Sequence, residues 1–425
     1  MIEVEKHKPD TVSQNDIDQI SSNLNKLKLK NKIGNRKRKY KGKKSSVKPD
    51  VNTLIPFDTF THSNKLYLPN NPKELFDSKE EVGLYKNGIF IEDRSQECKS
   101  KTMPVLKENI ALLYDRPITE SRPLKTEFIG SNLYEALEKY KAMDDKILDS
   151  TEPCMKYIET QDTAENGGDD NVLTIVSTRH HIVDIGMSLF NSNDRDNETS
   201  FIVTYLDSGV LLFSQDSLNK SFQKGGIYSN DPIFRKICFS GFAFEDLITN
   251  EEDQKEPAFS IVKAKLNAEI NLVLRCEMDA YNPEKNIYSE LKCYANLKMN
   301  NPQHRKKLLK TWLQTGLCPE SDIIIGIRDP SDGILHDILH YTRTDLYRKF
   351  NNRNLTPINK DFNYNANIAV EWTQHCLKAV SKLVKLNIDQ TMETPQSFKI
   401  RIDRYHSISI KKLRSTPHNI EIHLV

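Results

Sequence analysis

Glu277 and Asp279 stand two residues apart, and after ten intervening residues comes the triplet Glu290-Leu291-Lys292. Both groups lie in apolar-rich runs, Leu272-Val-Leu-Arg-Cys276 and the stretch from Ile287, with Asn282-Pro283 in the turn between them. This pattern predicts an antiparallel hairpin. With the turn centred between Glu284 and Lys285, Asp279 falls opposite Glu290 and Glu277 opposite Lys292. Side chains two apart on a strand share a face, so three carboxylates and one ammonium converge. Like charges held close resist ionisation unless a cation compensates them. A hard divalent ion such as Mg2+ does so through carboxylate oxygens, waters and substrate phosphate oxygens, and one or two such ions suit the hydrolysis of a phosphate ester. Lys292 would then orient or deprotonate the attacking water, or offset charge developing on phosphorus. Alternating charges across a hairpin also build plain solvated ion pairs, and that alternative stays open here.

Other residues offer to complete such a site. Glu245 ends Gly241-Phe-Ala-Phe-Glu245, a polar residue amid Phe242, Phe244 and Leu247, late on a helix that Asp231-Pro232 should start as N-cap and first helical residue. Arg179, in Ser177-Thr-Arg-His-His-Ile-Val183 ahead of an expected strand, is a bidentate phosphate donor by type. On a helix from Pro302 to Leu317, Lys307, Lys310 and Gln314 share one side, while Leu309, Trp312 and Leu313 face the core. His336 and His340 lack the glutamate of a zinc-binding HExxH and sit in a strand-like run, and His180-His181 reads as structural. No Gly-rich phosphate cradle of the GxxxxGK[ST] or GxGxxG kind is present, which leaves ATP-driven and nicotinamide chemistry without support.

The elements that must position these groups belong to a mixed α/β or α+β domain. The chain has 425 residues, 37% hydrophobic and 28% charged, and its apolar runs are far shorter than a bilayer span, so no membrane is expected. The opening Met1–Lys6 lacks a signal-peptide core, and seven scattered cysteines without a CxxC pair read as reduced thiols. A cytoplasmic protein is expected, with the nucleus as the alternative. The net charge of +2 hides an asymmetry: Lys26 to Lys44 holds eleven basic residues and no acid, leaving 2 − 11 = −9 for the rest. Residues 1–50 read as a disordered basic arm, and 51–425 as one domain with acidic insertions at 144–170 and 191–199, the second forming the tip of a hairpin. Ser131 to Met143 has the spacing of an amphipathic helix, a further helix is expected from about Asn365 to Leu386, and Phe398 to Asp403 alternates as a closing strand.

In order along the chain, Arg179 in Ser-Thr-Arg-His, Gly241-Phe-Ala-Phe-Glu245, Cys276-Glu-Met-Asp279, Glu290-Leu-Lys292, Lys307-Leu-Leu-Lys-Thr-Trp-Leu-Gln314 and Ile323-Ile-Ile-Gly-Ile-Arg328 resemble the motifs of the DXO/Dom3Z-type family of RNA 5′-end decapping nucleases. The resemblance implies a two-sheet core with flanking helices related to the PD-(D/E)xK nuclease fold. It implies that Glu245, Glu277, Asp279, Glu290 and the Leu291 carbonyl bind Mg2+, with Mn2+ as a substitute. Glu245, Asp279, Glu290, Lys292 and Gln314 would be catalytic, and Arg179, Glu277, Lys292, Lys310 and Gln314 would hold substrate. The implied activity is removal of incomplete or non-standard caps, NAD caps among them, from RNA with a capped, triphosphate or monophosphate 5′ end, followed by 5′-to-3′ degradation. The family includes free-standing decapping exonucleases, which the basic arm and insertions favour here, and a partner subunit of the nuclear 5′-to-3′ exoribonuclease.

Overall fold

The structure is a computed structural model that describes residues 52–53, 72–111, 127–135, 137–139, 150–162, 172–190, 198–206, 209–216, 227, 229–250, 257–298, 301–350, 366–392, 395–403 and 405–416. All belong to one compact body, Asp50–Val425. The basic arm at 1–50 and the insertion at 191–197 lie outside the described residues.

Fourteen described strands form two sheets. The larger has ten: β1 (Asn52–Thr53), β2 (Ser78–Lys86), β3 (Ile89–Ile91), β4 (Leu173–Thr178), β5 (Thr199–Tyr205), β6 (Val210–Gln215), β7 (Phe259–Asn267), β8 (Ile270–Glu277), β13 (Gln396–Ile402) and β14 (Ile408–Lys412), in the order β1-β14-β13-β5-β6-β4-β8-β7-β2-β3. The smaller has β9 (Ala280–Asn282), β10 (Ile287–Tyr294), β11 (Ser321–Arg328) and β12 (Leu335–Tyr341), in the order β12-β11-β10-β9. Only β4 with β6, β4 with β8 and β10 with β11 pair in parallel. The mixed two-sheet architecture expected from the sequence is the one observed.

The helices are α1 (Gln96–Thr102), α2 (Glu108–Ala111), α3 (Glu152–Asp162), α4 (Arg179–Ser188), α5 (Pro232–Ile248), α6 (Pro302–Leu317), α7 (Arg343–Phe350) and α8 (Ala366–Asn387). Asp231 and Asn301 cap α5 and α6: each side-chain oxygen accepts backbone N–H bonds from the first turn, and proline follows at the first helical position. Among the described residues no helix is long and apolar enough to cross a membrane.

Alternation along the strands sorts three cores. Leu272, Leu274 and Cys276 of β8 join Ile323 and Ile325 of β11 and the buried faces of α4, α6 and α8 in the central one. Val273 faces the opposite side of the large sheet, where Cys154 and Tyr157 of α3 cover it. Leu291 and Ile324 face the other side of the small sheet, against Phe244 and Ile248 of α5. Helix α5 is held there by close approach: a Cβ on Gly326 would lie 2.6 Å from the Phe244 ring.

Several local expectations are corrected. The span 144–170 contains α3, with Cys154 buried, so its middle is a packed helix rather than an insertion. Arg179 starts a helix after β4 instead of preceding a strand. The run expected as a strand ahead of the 191–197 segment is helix α4. Within Ser131–Met143 the described helix is one 3-10 turn, Leu137–Lys139. Leu133 N–H donates to Gly333 O and Tyr134 packs over Gly333, so contacts with the β11–β12 turn override the local helical period.

Packing at Gly326 sets the height of α5 over the small sheet. Gly326→Val is expected to lower the unfolding free energy by about 1–3 kcal/mol in urea titration, because the Phe244 ring has no room to retreat. Gly241→Ala on the same helix, where an added Cβ meets nothing within 4 Å, should leave stability unchanged or raise it.

Candidate active site

The carboxylates meet where the chain crosses from one sheet to the other. Glu277 is the last residue of β8 in the large sheet and Ala280 the first of β9 in the small one, so Met278 and Asp279 form the crossover. The expected hairpin is therefore only three pairs long, Ile287 with Asn282, Tyr288 with Tyr281 and Ser289 with Ala280, while β8 pairs with β4 and β7 instead. Its register is the expected one and places Asp279 across from Glu290.

Arg179, at the first position of α4, reaches this point from the interior of the large sheet. Its Nη1 donates to Glu290 Oε2 at 2.6 Å and to Cys318 Sγ at 3.1 Å. Lys292 Nζ lies 2.6 Å from Glu290 Oε1 and 3.1 Å from Asp279 Oδ2, and it donates to the Leu291 carbonyl at 2.8 Å. Asp279 Oδ2 also accepts the Leu291 N–H at 2.9 Å. The Glu290 Oε1 contact is an ion pair without hydrogen-bond alignment, so this buried oxygen keeps unused acceptor capacity. Glu290 is almost fully buried, whereas Glu245, Glu277, Asp279 and Lys292 line the site with some solvent access.

The electrostatics are those of too many anions in one place. Burial, then Asp279, Glu277 and Glu290, push the Glu245 carboxyl well above the usual carboxylate range. Burial and Asp279 raise Glu277, and burial and Glu290 raise Asp279 against the pull of Lys292. Glu290 alone goes down: burial opposes its charge, but Arg179 and Lys292 outweigh it. Both cations stay charged, since neighbouring anions more than offset the burial of each. Four carboxylates thus share two cations in direct contact, and among the described residues Glu245 and Glu277 make no ion pair.

This donor set fits a hard divalent ion: carboxylate oxygens, one carbonyl, and Glu290 Oε1, whose contact with Lys292 lacks hydrogen-bond alignment. Among the described residues no three acidic, histidine or cysteine side chains are gathered around a common point, and the Lys292 ammonium sits against Asp279, Glu290 and the Leu291 carbonyl.

The remaining candidates spread around this centre. Gln314, partly buried, lies on α6 four residues before the C-cap Cys318. Lys307 stands over the Tyr294 ring, two residues beyond Lys292 on β10. Lys310 makes an exposed contact with Asp184 of α4 at 3.4 Å and touches none of the carboxylates described above. His336 and His340 pair separately, with Asp329 at 3.8 Å and Asp322 at 2.7 Å. Sequence reasoning missed Cys276 and Cys318, a buried thiol pair beneath Arg179; burial raises Cys276, while Cys318, despite burial, is lowered by its bond to Cys276 and by Arg179. The four-residue step from Gln314 to Cys318 was the available signal.

A family description, RAI1 like PD-(D/E)XK nuclease, matches residues 106–422. The Decapping and exoribonuclease protein 1 of Saccharomyces cerevisiae is 44% identical over 381 residues, 87% of this chain and 85% of that protein. The protein of the same name from Kluyveromyces lactis is 30% identical over 413 residues, 93% and 95% of the two chains. The crystal structure of K. lactis Dxo1 in complex with manganese superposes with a TM-score of 0.63 at 26% identity, over 83% of this chain and 95% of that one.

The opposed shifts separate two substitutions of the same type. Glu290 contributes stability above the ordinary carboxylate range that disappears as pH falls through its lowered value, and its removal strands Arg179. Glu290→Gln should cost about 3–5 kcal/mol. Glu245 behaves oppositely: its favourable contribution is complete below the ordinary carboxylate range and is lost as pH rises toward its raised value. In EDTA at neutral pH, Glu245→Gln should melt above the unsubstituted protein and Glu290→Gln below it in differential scanning calorimetry. The gain from Glu245→Gln should shrink on acidification.

Proposed function

The chain belongs to the family of RAI1-like PD-(D/E)XK nucleases, and on that premise we propose that it is a divalent-metal-dependent hydrolase of RNA 5′ ends that removes incomplete or non-standard caps, NAD caps among them, and degrades the exposed strand 5′ to 3′. The observation that carries this reading is the surplus of carboxylates over cations at the crossover between the sheets. A site that only needed stability would not gather four acids, one of them almost fully buried, around two bases in direct contact.

In our assignment Glu245, Glu277, Asp279, Glu290 and the Leu291 carbonyl hold Mg2+ or Mn2+. The ion supplies charge neutralisation and a more acidic water at a phosphorus centre. The protein residues have separate tasks. Arg179 fixes the Glu290 rotamer through a charge-assisted bond and turns Oε1 toward the site, and its remaining donors face substrate phosphate. Asp279 is oriented by the Leu291 N–H, which ties its position to the pleat of β10. Lys292, once released from the carboxylates, offers an ammonium to a phosphate oxygen on which charge grows. Gln314 orients the attacking water from α6. The raised carboxyls of Glu245 and Asp279 register the crowding of anions that the bound ion would relieve.

The test incubates the purified protein with Mg2+ or Mn2+ and matched RNAs carrying an unmethylated cap, a methylated cap, an NAD end, a triphosphate or a monophosphate, resolving products from both ends. Release of the intact cap moiety followed by mononucleotides is the expected result, abolished by EDTA. Asp279→Asn should lower kcat by at least about 10²-fold. No turnover of any RNA by the folded, metal-loaded protein would sink the proposal.

A further inference from the structure

Helix α5 carries Glu245 near its C-terminal end, and a helix turns about 100° per residue. Reading back from Glu245, Phe242, Gly241, Cys238 and Phe234 therefore fall within about 60° of its direction. The far side of the helix is buried through Phe239 and Ser240, and beyond Glu245 the stripe itself closes at Ile248, also buried. Before Glu245 the stripe is open: Phe234 is 42% exposed, Phe242 39%, and Ile237 at its border 42%. Large apolar side chains left outward in a row that ends at a reactive centre mark a binding surface.

Gly241 sharpens the point. A glycine inside an exposed helix weakens it, and a close approach of another part of the fold is the usual reason to keep one. Here there is none: a Cβ on Gly241 would meet nothing within 4 Å, in contrast to Gly326 or Gly186. The room left by the missing side chain lies on the same stripe, between Phe234 and Glu245.

We propose that this stripe of α5 is a stacking platform for the bases of the RNA strand whose phosphate is presented at Glu245, and that Gly241 keeps the path along it open. The inference rests on the reading of the site as an RNA hydrolase and adds where the strand runs. Aromatic faces take any base, which suits an enzyme that consumes RNA without regard to sequence. Phe234 and Phe242 are separated by about 12 Å along the helix axis, several times the 3.4 Å spacing of stacked bases, so they meet different nucleotides. The charges agree: Arg235 is next to Phe234 and partly exposed, and the Asp231 carboxylate at this end is engaged with the Ile233 and Phe234 N–H groups of its cap.

The experiment uses single-stranded oligoribonucleotides with a 5′ monophosphate and 2-aminopurine at successive positions, bound in Ca2+, together with steady-state hydrolysis of the unlabelled strand in Mg2+. Quenching is expected at one or two defined positions, lost in Phe234→Ala and kept in Phe234→Trp. The KM for RNA should rise about 5-fold or more in Phe234→Ala. Gly241→Val should also raise KM without lowering the melting temperature. If the protein hydrolyses RNA but both variants keep their KM and no position is quenched, the strand runs elsewhere, the stripe serves some other partner, and the inference is wrong. If the unsubstituted protein hydrolyses no RNA, the functional reading itself has failed and takes the platform with it.

Discussion

The bond between Arg179 and Glu290, 2.6 Å long and almost without solvent, is the contact that the arrangement of both sheets serves. A buried ion pair of this kind seldom adds net stability over well-packed apolar residues, yet losing one partner strands the other. Its geometry has to be delivered by the backbone. Strand β4, parallel to β6 and to β8, carries the chain into the middle of the large sheet and turns directly into α4, which leaves Arg179 at the turn. Strand β10, between β9 and β11, brings Glu290 from the small sheet. A shift of one position would turn Glu290 to the opposite face of its strand and Arg179 by about 100° around its helix.

Charge compensation explains the rest of the site. Asp279 is pinned by the Leu291 N–H, and Lys292 spans Asp279, Glu290 and the Leu291 carbonyl. The ammonium thus occupies donors that a divalent ion would use and keeps the acids from flying apart without one. Glu245 and Glu277 make no such direct contact, the pull of the nearby cations does not offset burial and their fellow anions, and both carboxyls are raised. Strain of this sort is tolerated at reactive centres because surrounding packing holds the groups in place, here a continuous central core drawn from both sheets and helices α4, α6, α7 and α8.

What could be read in the sequence was local. The caps at Asp231-Pro232 and Asn301-Pro302 announce α5 and α6, since a cap needs only the next three residues. The hairpin register was legible for the same reason: a turn at Glu284-Lys285 fixes which residues face each other. The destination of β8 was not, because its partners β4 and β7 are chosen by burial on both faces of a large sheet, which no short window reports. Ser131 to Met143 shows the converse failure: helical spacing was present, but the Tyr134 hydroxyl bonds Pro330 O and Arg328, and those contacts decided the backbone. Arg179 was singled out by residue type, while its pairing with Glu290, 111 positions away, required the fold.

Helix α5 shows how one element serves two masters. On one side Gly326 lets the Phe244 ring settle onto β11, which fixes the depth of the helix to within a methyl group. Arg328, buried, donates to Ser240 and fixes its rotation about its own axis. With depth and rotation set from below, Glu245 is aimed by packing alone and needs no polar partner of its own. The upper face carries the partly exposed Phe234 and the bare Gly241, both open to what the enzyme binds. A residue whose neighbours in the fold fail to account for it is best explained by a neighbour that arrives with the substrate.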